Sequence, residues 1–272
     1  LRRTKSQVLV DLPPKTEIER ACVFGLRQKR AYDALSLAVR EAVRTHLIRR
    51  NDALTRIAVL TAILRLRQMA CDPRLVDPEA CPEDSAKRAV FLDLVRELVS
   101  EDRRALVFSQ FVELLALWRK DLDAAKVPYE WLDGSTTNRD AVVERFQNGT
   151  APLFLVSLKA GGAGLNLTAA DTVILCDPWW NPAAEDQATD RAHRIGQTKP
   201  VTVIRLVARG TIEDKIALLK GKKRELAAAV VGAPGDGPAE ENPLGALTDE
   251  DIEMLLGEAD DEVDEDAPES QE

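Results

Sequence analysis

LFLVSLKAGGAGLNLTAADTVILCDPWWNP, residues 153–182, decides the fold. It holds two short apolar runs, Leu153 to Leu158 and Thr172 to Cys176, each followed by a polar turn. Neither run alternates apolar with polar residues, so neither suits a sheet with one wet face. Near-continuous apolar strands imply a sheet covered on both sides, the signature of parallel pairing. Ala105 to Phe108 and Val201 to Val207 repeat the pattern, and Tyr129 to Leu132 adds a strand ahead of Asp133-Gly134-Ser135. A helix from about Asn138 to Gln147 follows, and most of the other runs also lead into helical segments. The prediction is an α/β fold: a three-layer lobe with a parallel central sheet of about five strands. Ligands of such sheets bind beyond the C-terminal strand ends, and the Gly-rich and Trp-rich turns fall there.

Outward from this core the chain divides into three parts. Residues 1–84 read as an extended, Pro-containing connector followed by a helical pair, at about Gln28 to His46 and Asp52 to Met69, and then a polar loop with three prolines. Residues 85–225 form the α/β lobe, opened by a helix that Asp84 or Ser85 can cap. Residues 226–272 are an acidic tail, expected to be largely disordered, with a short helix at 248–256 capped by Thr248. The formal charge of −9 conceals this division. Residues 233–272 carry 16 acidic side chains and no Lys or Arg, so residues 1–232 sum to +7. The tail reads either as a solvated terminus or as an intramolecular competitor for a basic surface. Leu1 is not a natural translation start, and further chain is expected upstream. No apolar run approaches the ~20 residues of a membrane span. Four scattered cysteines and two histidines lack zinc-ligand spacing, so no metal site is expected.

Three features can carry chemistry. After Asp177-Pro178-Trp179-Trp180-Asn181-Pro182, a helix opening at Pro182 would place Gln187, Arg191 and Arg194 on one stripe. Ala184, Ala188, Ala192 and Ile195 would pack on the sheet. Two guanidiniums one turn apart can share one set of phosphate oxygens; the alternative is a solvated face paired with Glu185, Asp186 and Asp190. Lys159 to Asn166 has three glycines in four positions, yet matches neither GxGxxG nor GxxxxGK[ST], and a tight structural turn explains it equally well. Trp179 and Trp180 cannot both enter one core, which favours a nucleic-acid or partner contact for one of them. The chain has no GK[ST], and Asp261-Glu262-Val263-Asp264 matches DExD only by chance within the acidic tail.

Together these residues acquire a family likeness. The run QATDRAHRIGQ, Gln187 to Gln197, resembles helicase motif VI in the form characteristic of the Swi/Snf family of DNA-dependent ATPases in helicase superfamily two. Other segments agree in order: LRRTK with VLVDLPPKTE (1–5, 8–17) with the connector out of the first motor lobe, and LRQMACDP (66–73) with the helical protrusion. VFSQF (107–111) resembles motif IV, LDGSTTNR (132–139) the segment after it, SLKAGGAGLN (157–166) motif V, and DPWWNP (177–182) the tryptophan-bearing segment before motif VI. The likeness covers about residues 1–220, and the compact protrusion and the DPWWNP form resemble bacterial members.

The resemblance implies a second RecA-like lobe of an ATP-driven translocase or remodeller on double-stranded DNA. ATP would bind between two lobes, with magnesium held by the first, which is absent from this chain along with its Walker A and DEAH residues. Arg191 and Arg194 match the arginine fingers and Gln187 orders them, a catalytic set acting on phosphoryl transfer. Gly162 and Gly164, with the two arginines, match nucleotide-cleft positions. Ser109, Gln110, Ser157, Lys159, Asn166 and Trp180 match positions along the DNA backbone. The partners implied are duplex DNA, the N-terminal lobe of the same protein and a transcription or chromatin-like protein, with no membrane. The compartment implied is the nucleoid-bearing cytoplasm of a bacterium, or a nucleus. Two alternatives stand beside this reading: a strand-separating helicase lobe, and a non-catalytic nucleic-acid or protein-binding module.

Overall fold

The apolar runs form a parallel sheet, and their alternate residues separate its two coats. In the computed structural model, residues 12–49, 53–161, 165–179, 182–231 and 248–256 are described. The strands are β1 (Lys15–Cys22), β2 (Ala105–Ser109), β3 (Tyr129–Leu132), β4 (Leu153–Ser157), β5 (Thr172–Leu175) and β6 (Val201–Ala208), in the spatial order β1-β6-β5-β2-β4-β3. All pairs are parallel, with Ala105 opposite both Leu153 and Thr172. Parallel neighbours need crossovers, and helices supply them.

On one face Val107, Leu155, Ile174 and Leu206 pack against α3 (Ala86–Ser100) and α4 (Val112–Ala124), around Phe91 stacked on Trp118 with centroids 4.3 Å apart. On the other, Phe108, Phe154, Val173 and Val203 meet α5 (Arg139–Asn148) and α6 (Pro182–Thr189) through Phe146 and Ala188. Burial on both sides explains the lack of alternation in β2 and β4. Caps start the helices where expected: Ser85 accepts from the Arg88 N–H at the head of α3, and Asn138 from the Ala141 N–H at the head of α5.

A third cluster lies beyond the edge of the sheet. The paired helices α1 (Leu26–Arg49) and α2 (Ala53–Cys71) pack Tyr32, Val39, Ile63 and Leu66 against Ile212, Ile216 and Leu219 of α7 (Ile212–Val231). The helix expected in the tail is present as α8 (Asp249–Leu256), and Thr248 and Asp251 bond reciprocally at its start. Ile252, Leu255 and Leu256 are buried in the same cluster. Two turns of helix are marginal alone, so this packing accounts for α8.

The sheet has one strand more than the sequence suggested, because β1 comes from the segment read as a connector. Seven of its eight residues are exposed, which hid it. It is an edge strand guarded by charge: Glu17 meets Lys15 and Arg205, both at 2.7 Å, and Arg209 pairs with Glu19.

Candidate functional site

Two loops leave the C-terminal ends of β2 and β5, and buried polar side chains join them to each other and to α2. Ser109 Oγ donates to Asp177 Oδ1 at 2.5 Å and Gln110 Nε2 to Asp177 Oδ2 at 2.5 Å. Arg67, delivered by α2 and itself buried, lies 3.7 Å from the same carboxylate, donates to Gln110 Oε1 at 3.1 Å and to the Pro178 carbonyl at 2.8 Å. Its guanidinium also lies over the Phe111 ring. Burial pushes the Asp177 carboxyl up, while Arg67 and the two donors pull it back towards the charged form. Beside this network Lys87, also buried, gives its ammonium to the carbonyls of Cys176 and Leu206 and to Glu213 Oε1, at 2.7, 3.0 and 2.8 Å.

This arrangement redefines several predicted DNA-facing residues. Ser109 is fully buried and its hydroxyl is committed to Asp177, so it braces the loop from within. Gln110 is half-buried and spends both ends of its amide on Asp177 and Arg67. Ser157 is buried and accepts from the Ala160 N–H, which turns the chain out of β4. Lys159 and Asn166 are exposed, as a backbone contact requires. Gly162, Gly164 and Trp180 lie outside the described residues.

The motif VI stretch departs from its expected form. Helix α6 ends at Thr189, so Arg191 and Arg194 occupy the turns after it and not a continuous helical stripe. The Thr189 hydroxyl bonds back to the Glu185 carbonyl, and the Arg191 and Ala192 N–H groups reach back only three residues, to Ala188 and Thr189. Gln197 anchors the turns that follow. Its buried carboxamide donates to the carbonyls of Thr168, Ala170 and Ala192 and accepts from the Thr198 and Lys199 N–H groups. Gly196, at φ +100°, supplies the reversal that brings it there. Ala188 and Ala192 pack inward as predicted, but Ile195 is 71% exposed because the helix has already ended. Replacing Gln197 by Leu should strand these carbonyls and cost about 2–3 kcal/mol, read as a lower urea midpoint.

The arginine segment packs beside the chain that leads into β5. The Leu167 N–H donates to the Arg191 carbonyl and Arg194 Nη1 to the Leu165 carbonyl, so the segment lies along the loop that descends into the N-terminal end of β5. Next to it His193 Nε2 donates to the Pro13 carbonyl at 2.8 Å, two residues before β1 begins. Burial pulls the Arg191 guanidinium below its usual pKa, and the nearby positive charge of Arg194 adds to this, with Asp190 opposing. Gathered like charges of this kind favour an anion between them. Gln187 is exposed on the preceding helix. Glu185, counted among possible partners for the arginines, is instead buried: it accepts from the Trp179 N–H and pairs with Lys220 and Arg205.

Comparison with known proteins finds relatives in sequence and in fold. Residues 86–196 fit the family model described as the helicase conserved C-terminal domain. An uncharacterized ATP-dependent helicase of Mycoplasma pneumoniae is 36% identical over 83% of the chain and 22% of its own length. The putative ATP-dependent helicase/translocase YwqA of Bacillus subtilis is 34% identical over 94% of the chain and 28% of its own length. Among solved structures, the Sulfolobus solfataricus SWI2/SNF2 ATPase core in complex with double-stranded DNA superposes with a TM-score of 0.72 at 28% identity, over 95% of this chain and 54% of that one. The chain thus spans about a quarter of the length of the curated relatives it matches, at 22% and 28%.

Proposed function

We propose that the chain, which belongs to the Swi/Snf family of ATPases as a C-terminal RecA-like lobe, is the half of a double-stranded DNA translocase that supplies arginine fingers and DNA-backbone contacts. The observation that carries this reading is the Arg191–Arg194 segment. Two guanidiniums are gathered there, fixed by Gln197 to the 165–170 loop and by His193 to Pro13. Pro13 lies two residues before β1, so the segment that bears the pair sits beside the chain leading into the first strand. A nucleotide triphosphate held by the first lobe would present its phosphates to these arginines. There Arg191 and Arg194 neutralise charge that develops as the terminal phosphoryl group leaves. Gln187, one turn earlier, orders the pair. Magnesium would be held by the first lobe, as the family resemblance implies.

Lys159 and Asn166, exposed after β4, would contact phosphates of the duplex, which position a protein without reading sequence. Among the described residues no helix is long and apolar enough to cross a membrane, and the reading places the protein with DNA, in a nucleoid if the source is bacterial or in a nucleus if it is not. The test is ATP turnover with duplex DNA, measured for this chain alone and joined to its upstream lobe. The expected result is negligible turnover alone and DNA-stimulated turnover when joined. Robust hydrolysis by the isolated chain would overturn the assignment.

A further inference from the structure

The peptide unit between Pro178 and Trp179 is held at both of its polar atoms by buried charged side chains from two different elements. Its carbonyl accepts from Arg67 Nη2 at 2.8 Å, and its N–H donates to Glu185 Oε1 at 2.8 Å. Arg67 belongs to α2 of the helical pair, and Glu185 to α6, six residues before Arg191. Both are almost fully buried, and Arg67 also donates to Gln110, one of the predicted DNA positions. Each is fixed in turn: Arg67 by Gln110 and Asp177, Glu185 by Lys220 at 2.6 Å and Arg205 at 3.3 Å. Surface peptides are normally satisfied by water or by short local turns. Fixing one with a buried guanidinium and a buried carboxylate, each costly to desolvate, makes its orientation a built property.

We propose that Arg67 and Glu185 are positioning residues that grip the Pro178–Trp179 peptide from two sides, set the angle at which the tryptophan turn meets duplex DNA, and tie that angle to helix α6. The inference rests on the translocase reading above. In that setting the turn and the arginine segment are two ends of one short helix. A shift of α6 when the arginines engage phosphate moves Glu185, and Glu185 carries the Trp179 N–H with it. The helical pair, through Arg67, is the fixed side against which this movement occurs.

Glutamine and leucine at position 185 separate the grip from the ion pairs. Glu185→Gln loses the charge opposite Arg205 and Lys220 but keeps an oxygen for the Trp179 N–H; Glu185→Leu loses both. In the 272-residue chain, backbone amide exchange of Trp179 and the Kd for a fluorescent duplex are measured for both variants. The Gln variant is expected to keep slow exchange and a Kd within about twofold of wild type, while the Leu variant exchanges fast and binds about tenfold more weakly. Equal behaviour of the two variants, or fast exchange in the Leu variant with unchanged affinity, overturns the proposal. If the Leu variant does not fold, Arg67→Lys serves instead. It keeps a cation opposite Asp177 but offers one nitrogen where arginine uses two, and its Kd should rise severalfold; an unchanged Kd overturns the proposal. A wild-type chain that fails to bind duplex DNA would sink the translocase reading and the aiming role together, and slow exchange at Trp179 in that same chain would show that the grip itself survives.

Discussion

Replacing Arg191 or Arg194 by alanine in the longer protein is expected to lower DNA-stimulated ATP turnover by about 10³-fold or more, with duplex affinity changed by no more than about twofold. The asymmetry follows from placement. Both arginines lie along the 165–170 loop beside Pro13, towards the N-terminal end of β5, whereas Lys159 follows the C-terminal end of β4. Lysine should rescue poorly at position 191. Arg191 is half-buried beside a second positive charge and held below its usual pKa by burial and by Arg194. A lysine there would shed its proton more readily and would lack the forked geometry that spans two phosphate oxygens. Because Arg191 is half-buried, thermal melting of each variant must accompany the turnover assay. Normal turnover in both alanine variants would favour the non-catalytic binding module.

The sheet of this lobe was easier to read from the sequence than its edge and its loops. Strands β2, β4, β5 and β6 were legible because burial on both faces leaves apolar runs that few other structures need. Motif residues were legible because glycines, tryptophans and arginines are rarely clustered without cause. Strand β1 was not, since KTEIERAC answers to an edge environment in which charges guard unpaired backbone and only Cys22 is buried. The end of α6 was hidden for a different reason. Thr189-Asp190-Arg191 contains no glycine or proline, and the groups that hold the turns after the helix come from elsewhere in the sequence: the Leu167 N–H on the Arg191 carbonyl and the Gln197 side chain on the Ala192 carbonyl. Ser109 and Ser157 matched DNA-facing positions by sequence, but a motif fixes residue type and not which way a hydroxyl turns; here Ser109 donates to Asp177 on the neighbouring loop, and Ser157 accepts within its own turn. Arg67 and Glu185 carried a visible signal, a charge at each position on helices whose neighbours pack inward, but their shared target at Pro178–Trp179 is a peptide bond that no side-chain pattern announces.

The same limit applies to Lys87 and Glu213, 126 residues apart, which carry the largest expected effect on stability. Burial works against the Lys87 charge, and the Glu213 carboxylate outweighs it and holds the ammonium above its usual pKa. Burial pushes the Glu213 carboxyl up, and Lys87 pulls it down without cancelling the shift. Glu213→Gln should cost about 3–5 kcal/mol, because a buried ammonium then loses its counter-charge and the Ala208 N–H must share what remains. Lys87→Met should behave differently, since the stranded carboxyl can take up a proton. With Lys87 gone, the folded-state pKa of Glu213 rises further above its unfolded value near 4.5. The folded state then binds the extra proton, so the stability of the Lys87→Met variant falls as pH rises above about 4.5 and levels off once the folded-state pKa is passed. Urea midpoints between about pH 4.5 and 8 should therefore decline relative to wild type for Lys87→Met, whereas the deficit of Glu213→Gln should narrow as pH rises, because that variant lacks the carboxyl whose raised pKa costs the wild type stability there. A pH-independent deficit in Lys87→Met would mean that Glu213 stays ionised without its partner, and that the Cys71 thiol and Ala208 N–H suffice to hold it. The outcome bears on function because Lys87 also bonds the Cys176 carbonyl, one residue before Asp177. Loss of the pair should loosen the base from which the tryptophan turn projects, so the variant that melts at high pH should also lose duplex affinity there, ahead of global unfolding.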